Sequence, residues 1–98
     1  MNKTQLIDAV AQAIGDRPAA VHAVNTVLES IQDAVARGEK VSITGFGAFE
    51  AVDRSARTAK NPVTGAEIHV PAKRAPKFRP GSGFKDLVHQ GGRAAVSA

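Results

Sequence analysis

Cysteine, tryptophan and tyrosine are absent from the sequence, and its aromatic residues are four phenylalanines, at positions 46, 49, 78 and 84. Without cysteine there is no disulfide framework, thiolate metal site or thiol nucleophile. The stretch between Phe49 and Phe78 holds no phenylalanine, tyrosine or tryptophan, so it lacks the usual platforms on which single-stranded nucleic acids and RNA bases stack. No apolar run approaches the ~20 residues of a membrane span. The opening stretch, Met1 to Asp8, lacks the hydrophobic segment of a signal peptide, so a cytoplasmic protein with no membrane partner is expected. Catalytic chemistry finds no foothold. His22, His69 and His89 show no metal-ligand spacing, and Asp8, Asp16, Glu29 and Asp33 fall on amphipathic or capping positions. Gly45-Phe46-Gly47 is a fragment of a nucleotide-loop pattern, set between strands rather than before a helix. Neither an enzyme nor a cofactor or metal site is expected.

What the chain does have is unevenly placed positive charge. The net charge of +4 divides into −3 over residues 1–53, +6 over 54–79 and +1 over 80–98. The basic segment carries Arg54, Arg57, Lys60, Lys73, Arg74, Lys77 and Arg79, with Glu67 its single acid. Such a concentration is the electrostatic footprint of a polyanion-binding surface; a solvated basic face without a partner is the blander reading of charge alone. At 98 residues the chain is one domain with a marginal core of its own, and dimerisation is one way to enlarge that core.

The first half reads as a helical hairpin. Asn2 and Gln5 form a capping box ahead of Leu6, Ile7, Val10, Ala13 and Ile14, and Gly15 ends that helix. Asn2-Lys3-Thr4 also matches a glycosylation sequon, but the cap reading is the better one. Asp16 caps a second helix with Pro18 in its first turn. Its stripe is Ala20, Val24, Val27, Leu28, Ile31 and Val35, widened by Val21 and Ala34, and Arg37-Gly38 closes it. These apolar faces need a lid. From Val41 the period changes to two: Val41 and Ile43, a corner at Gly45-Phe46-Gly47, then Ala48 to Val52. Lys77-Phe78-Arg79 is expected as a closing strand, and Pro80-Gly81-Ser82 opens a short helix with Phe84, Leu87 and Val88. Residues 89–98 are expected to fray, and no internal repeat is visible. All four phenylalanines are expected to pack in the core.

Between these strands lies a hairpin with little to bury. Asn61-Pro62-Val63-Thr64 fits a type I turn with Gly65 at positive φ. Arms of roughly seven residues on each side would reach about 23 Å, yet an isolated two-stranded ribbon is marginal in water. A ribbon that does not pack on its own protein is expected to pack on something else, and two-stranded ribbons enter DNA grooves.

In chain order, Met1-Asn2-Lys3-Thr4-Gln5-Leu6-Ile7-Asp8, Gly45-Phe46-Gly47-x-Phe49, Arg54-x-x-Arg57-x-x-Lys60-Asn61-Pro62-x-Thr64-Gly65 and Phe78-Arg79-Pro80-Gly81 resemble the bacterial histone-like HU family, over residues 1 to about 90. Integration host factor subunits share the arm signature. The resemblance implies an α+β fold and an intertwined homodimer. Each chain would supply a helical hairpin, a three-stranded antiparallel sheet with a protruding β-ribbon arm at about 54–73, and a short C-terminal helix; residues 91–98 would be a flexible tail. By motif match, Arg54, Arg57, Lys60 and Asn61 contact sugar, phosphate or minor groove. Pro62 wedges between base pairs, as in minor-groove benders, of which HU and integration host factor are themselves examples. Lys3, Arg17 and Lys85 match body positions that contact flanking DNA. Lys73, Arg74 and Arg79 join the DNA-binding set from the basic segment.

Three departures point to weaker binding. Ser82-Gly83 stands where the family often has lysine, Asp53 is an acid at the arm base, and the long Lys/Ala-rich tail of some actinobacterial relatives is missing. The expected function is sequence-tolerant binding, bending and compaction of double-stranded DNA in the nucleoid. A sequence-specific bender of the integration host factor type is the alternative. Structured RNA is carried as a second ligand, and a heterodimer with a paralogue as the alternative to the homodimer.

Overall fold

The computed structural model describes residues 1–93. Helices α1 (Lys3–Ile14) and α2 (Arg17–Ala36) form the expected hairpin. The Asn2 side chain accepts from the Gln5 N–H at 2.9 Å while the Gln5 side chain accepts from the Asn2 N–H at 3.0 Å, so both halves of the capping box are made. Asp16 accepts from the Ala19 N–H, and Pro18 sits in the first turn of α2. At the far end Glu39 donates to the Ala34 carbonyl and Gly38, at φ 89°, to that of Val35. This paired closure needs a left-handed residue just beyond the helix, which glycine supplies without a Cβ penalty.

Strands β1 (Val41–Ile43), β2 (Gly47–Arg54) and β5 (Lys73–Pro80) make an antiparallel sheet in the order β1-β2-β5. β5 has eight residues where its clearest signal, Lys77 to Arg79, covers three: it pairs with β2 in unbroken register from Pro80 opposite Gly47 to Lys73 opposite Arg54. Pro76 and Pro80 are tolerated because β5 is an edge strand, where a missing N–H need not leave a partner unsatisfied. The ribbon is a separate two-stranded sheet, β3 (Arg57–Lys60) with β4 (Glu67–Val70). Residues 55–56 on one side and 71–72 on the other interrupt both strands at the same level, so the expected seven-residue arms become four paired residues each beyond a joint. Helix α3 (Ser82–Gln90) runs past Val88 to Gly91 at φ 84°, so His89 and Gln90, expected to fray, are helical. Residues 94–98 of the expected tail lie outside the described residues.

The core is small. Ile7, Ala20 and Val24 join the two helices, backed by Leu6, Val10, Ala11 and Val21, and Ala34 and Val35 are buried further along α2. The four phenylalanines form one cluster: Phe49 and Phe78 are cross-strand partners with ring centroids 4.8 Å apart, and Phe46 lies 5.4 Å from Phe84. Yet Phe46 is 45% exposed and Val27, on the α2 stripe, 56%. The apolar faces read from the sequence are present and only partly covered.

Candidate nucleic-acid interface

Strand alternation sorts the cations of the sheet onto its two faces. Ala48, Glu50, Val52 and Arg54 of β2 share one face with Lys73, Ala75, Lys77 and Arg79 of β5. The other face carries Phe49, Ala51 and Asp53 with Arg74, Pro76 and Phe78, and there α2 approaches through Gln32, Val35 and Ala36 to line a recess with Ala51, Arg74 and Pro76. The sheet therefore has an apolar inner face and a cationic outer one. Arg74 stands opposite Asp53 on the inner face, and its guanidinium lies over Gly38, where a Cβ would come within 2.6 Å of it. Asp53 is thus on the opposite face from Arg54 and neither pairs with it nor adds a negative charge to the outer face.

On the outer face Glu50 is the only acid, and it is held 2.7 Å from the Arg79 guanidinium. Arg79 is partly neutralised, Lys77 stands directly opposite the same Glu50, and Arg54 and Lys73 face each other as a pair with no acid opposite either. Lys77, which the linear motif does not single out, shares this cationic face with Lys73 and Arg79. Its signal was available, since 73, 77 and 79 share one parity and 74 does not.

The arm continues the surface outward. Arg57, Ala59, Ile68 and Val70 lie on one of its faces and Thr58, Lys60, Glu67 and His69 on the other, with Lys60 opposite Glu67. At the tip Asn61 Oδ1 accepts from the Val63 N–H at 2.8 Å, and the Gly65 N–H donates to the Asn61 carbonyl at 2.8 Å. The loop therefore closes one residue later than the expected type I turn, because Gly65, at φ 71°, can take the left-handed conformation that completes the wider turn. Pro62 and Val63 occupy the apex, and Val63 is 90% exposed.

The body candidates lie on three helices. Lys3 and Arg17 open α1 and α2, and Lys85 is in the first turn of α3; none of the three helices has an acid in its first turn. At α1 and α3 a cation therefore sits at a positive helix end, against the dipole, whereas at α2 the Asp16 cap supplies the acid that the dipole favours. Arg17 is ion-paired with Asp8 of α1. Gly83 has its own structural reason, since a Cβ would lie 3.1 Å from the Gly45 carbonyl oxygen, where α3 meets the β1–β2 turn. Among the described residues no group of three or more His, Asp or Glu is arranged to hold a metal, and no helix is long and apolar enough to cross a membrane.

Comparison with known proteins agrees with this geometry. A family model described as bacterial DNA-binding protein matches residues 1–89. DNA-binding protein HU of Staphylococcus aureus is 52% identical over 89 residues, covering 90% of this chain and 99% of that protein. DNA-binding protein HU 2 of Streptomyces coelicolor is 52% identical over 88 residues, 90% of this chain, but the match spans only 40% of the length of that relative. Among solved structures, Anabaena HU crystallised with DNA superposes with a TM-score of 0.81 at 40% identity, covering 90% of this chain and 97% of that one. HU from Thermotoga maritima gives 0.62 at 37% identity, covering 90% and 98%. The cationic sheet face, the jointed ribbon and these matches lead to one conclusion: the chain belongs to the bacterial DNA-binding protein family of HU.

Proposed function

We propose that this chain binds double-stranded DNA with little dependence on sequence, and bends and compacts it as a histone-like component of the bacterial nucleoid. The observation that carries the reading is the arm: a two-stranded ribbon that packs on none of its own protein's core, roots in a cationic sheet face and ends in an exposed Pro62-Val63 apex. Cations along such a ribbon neutralise phosphates, and an apolar wedge at its tip unstacks a base step in return for the contacts that bent DNA allows. Arg54, Arg57, Lys60, Asn61, Lys73, Lys77 and Arg79 serve the arm and its root, and Lys3, Arg17 and Lys85 serve flanking DNA. Structured RNA, with the same backbone charge, is a weaker second ligand.

The working unit is a homodimer. A 98-residue chain whose buried hydrophobic core is Ile7, Ala20, Val24, Ala34 and Val35, and which leaves Val27, Leu28, Phe46 and Phe78 exposed, is short of core. A second copy laid over the α2 stripe and the phenylalanine cluster covers these side chains and sets two arms on one DNA; a paralogous chain would use the same face.

The test is energy transfer between the ends of two unrelated labelled duplexes over a salt series. If the dimer neutralises about 6–10 phosphates, log K falls against log salt with a slope of roughly −5 to −9. Bending of both duplexes with that slope supports the proposal. A flat salt response overturns it, and bending of only one duplex transfers the chain to the sequence-specific class.

A further inference from the structure

The joint between sheet and arm holds a feature that groove contact alone does not require. Arg54 and Lys73, both cations, stand directly opposite each other as the last pair of β2 and β5. Like charges in that position destabilise a sheet. Just across the interruption, Arg57 of the arm turns to the same side, and a recess of about 390 Å³ opens there, lined by Arg54, Ser55, Arg57, Val70, Pro71, Lys73 and Ala75. Three cations share it and no acid lines it. Asp53 is on the inner face, Glu67 on the other side of the arm, and Glu50 is held by Arg79. Val70, Pro71 and Ala75 give the recess an apolar side that strengthens whatever electrostatic contact forms beside it.

We propose that this recess is a discrete seat for one phosphoryl group and that it takes free phosphate-class anions, a terminal phosphoryl of pyrophosphate among them, in the absence of DNA. An oxyanion there removes the repulsion between Arg54 and Lys73 and reaches Arg57 at the same time, tying the sheet to the arm across residues 55–56 and 71–72. Arginine supplies paired donors that suit a phosphoryl oxygen edge, and lysine supplies a point charge. The same seat takes one backbone phosphate when a duplex lies along the arm. Small polyanions therefore compete with DNA at the root of the arm and not at its tip. The seat deepens the DNA-binding proposal, but its first measurement uses no DNA.

The experiment titrates the full chain with sodium pyrophosphate, and separately with sodium chloride at matched ionic strength, following backbone amides by NMR. The expected result is saturable shifts at Ser55, Arg57, Val70 and Lys73 with pyrophosphate and not with chloride. The Arg54→Gln/Lys73→Gln variant weakens half-saturation at least about tenfold, a factor equal to 1.4 kcal/mol. Arg57→Gln, which changes only the arm side of the recess, must also weaken it, and this second variant keeps the test sound if the first fails to fold. Shifts that track ionic strength alone, or that spread equally over distant cations such as Lys40 and Lys85, overturn the seat. A duplex added to the same samples separates the two ideas: bending without a pyrophosphate response removes the seat alone, whereas loss of duplex binding as well removes the DNA reading.

Discussion

The division of the cations between two faces of the sheet makes a sharp prediction for a pair of charge-removing substitutions three residues apart. Lys77→Gln and Arg74→Gln each delete one positive charge from β5, so net charge and intervening sequence cannot distinguish them. Register does. Lys77 is on the outer face beside Lys73, while Arg74 is on the inner face opposite Asp53 with its guanidinium over Gly38. Each phosphate contact contributes about 0.9 to the slope of log K against log salt, so Lys77→Gln in a two-fold dimer flattens that slope by roughly 1.8. At 0.1 M salt each lost contact costs about an order of magnitude in affinity. Arg74→Gln should leave the slope unchanged and act, if at all, on thermal stability through its contact with the α2 terminus. Fluorescence anisotropy of one labelled duplex from 50 to about 300 mM salt measures both, over a range in which such slopes are readily resolved. Equal flattening by the two variants would refute the facial assignment, because charge alone would then be what DNA reads.

Other consequences can be checked in parallel. Gly47→Ala places a Cβ 2.6 Å from both the Arg79 carbonyl oxygen and the Phe78 ring; overpacking of about 2 kcal/mol should lower the melting temperature by roughly 8–16 °C, followed by circular dichroism at fixed protein concentration. Pro62→Ala should reduce DNA bending more than affinity, and equal bending by the variant would make the proline an ordinary turn residue. Val27→Glu puts a charge on a stripe that one chain leaves exposed, so analytical ultracentrifugation should show dissociation to monomer and duplex affinity should fall; an intact dimer would place the interface elsewhere.

The local chemistry of this fold was written plainly in the sequence, because each signal needs only a few neighbouring residues. Asn2 with Gln5, Asp16 with Pro18, Arg37-Gly38 and Gly65 each act within their own turn, and each occupies the role its type suggests. The first half of β5 was hidden. Lys73 to Pro76, with two adjacent cations and a proline, carry no strand signal of their own, and only pairing with β2 along a sheet edge makes them a strand. The candidate site divides in the same way. Arg54, Arg57, Lys60, Asn61 and Pro62 were found as a linear motif, whereas the separation of Arg74 from Lys77 depends on register across two strands. The pairs Arg17–Asp8 and Arg79–Glu50 join elements that no local window contains.

The outer strand of the sheet has one more consequence. β5 is an unpaired margin, and an exposed strand margin is a template on which further strands add. This one offers proline at two of its eight positions and carries Lys73, Lys77 and Arg79 along one face. Both features oppose strand addition, proline by withholding a donor and the cations by mutual repulsion between approaching margins. A protein that coated DNA in the proposed way would have to tolerate crowding beside many identical copies. The charges proposed to hold the polyanion are thus also a guard against aggregation, and the guard is weakest when those charges are neutralised in the absence of an ordered duplex.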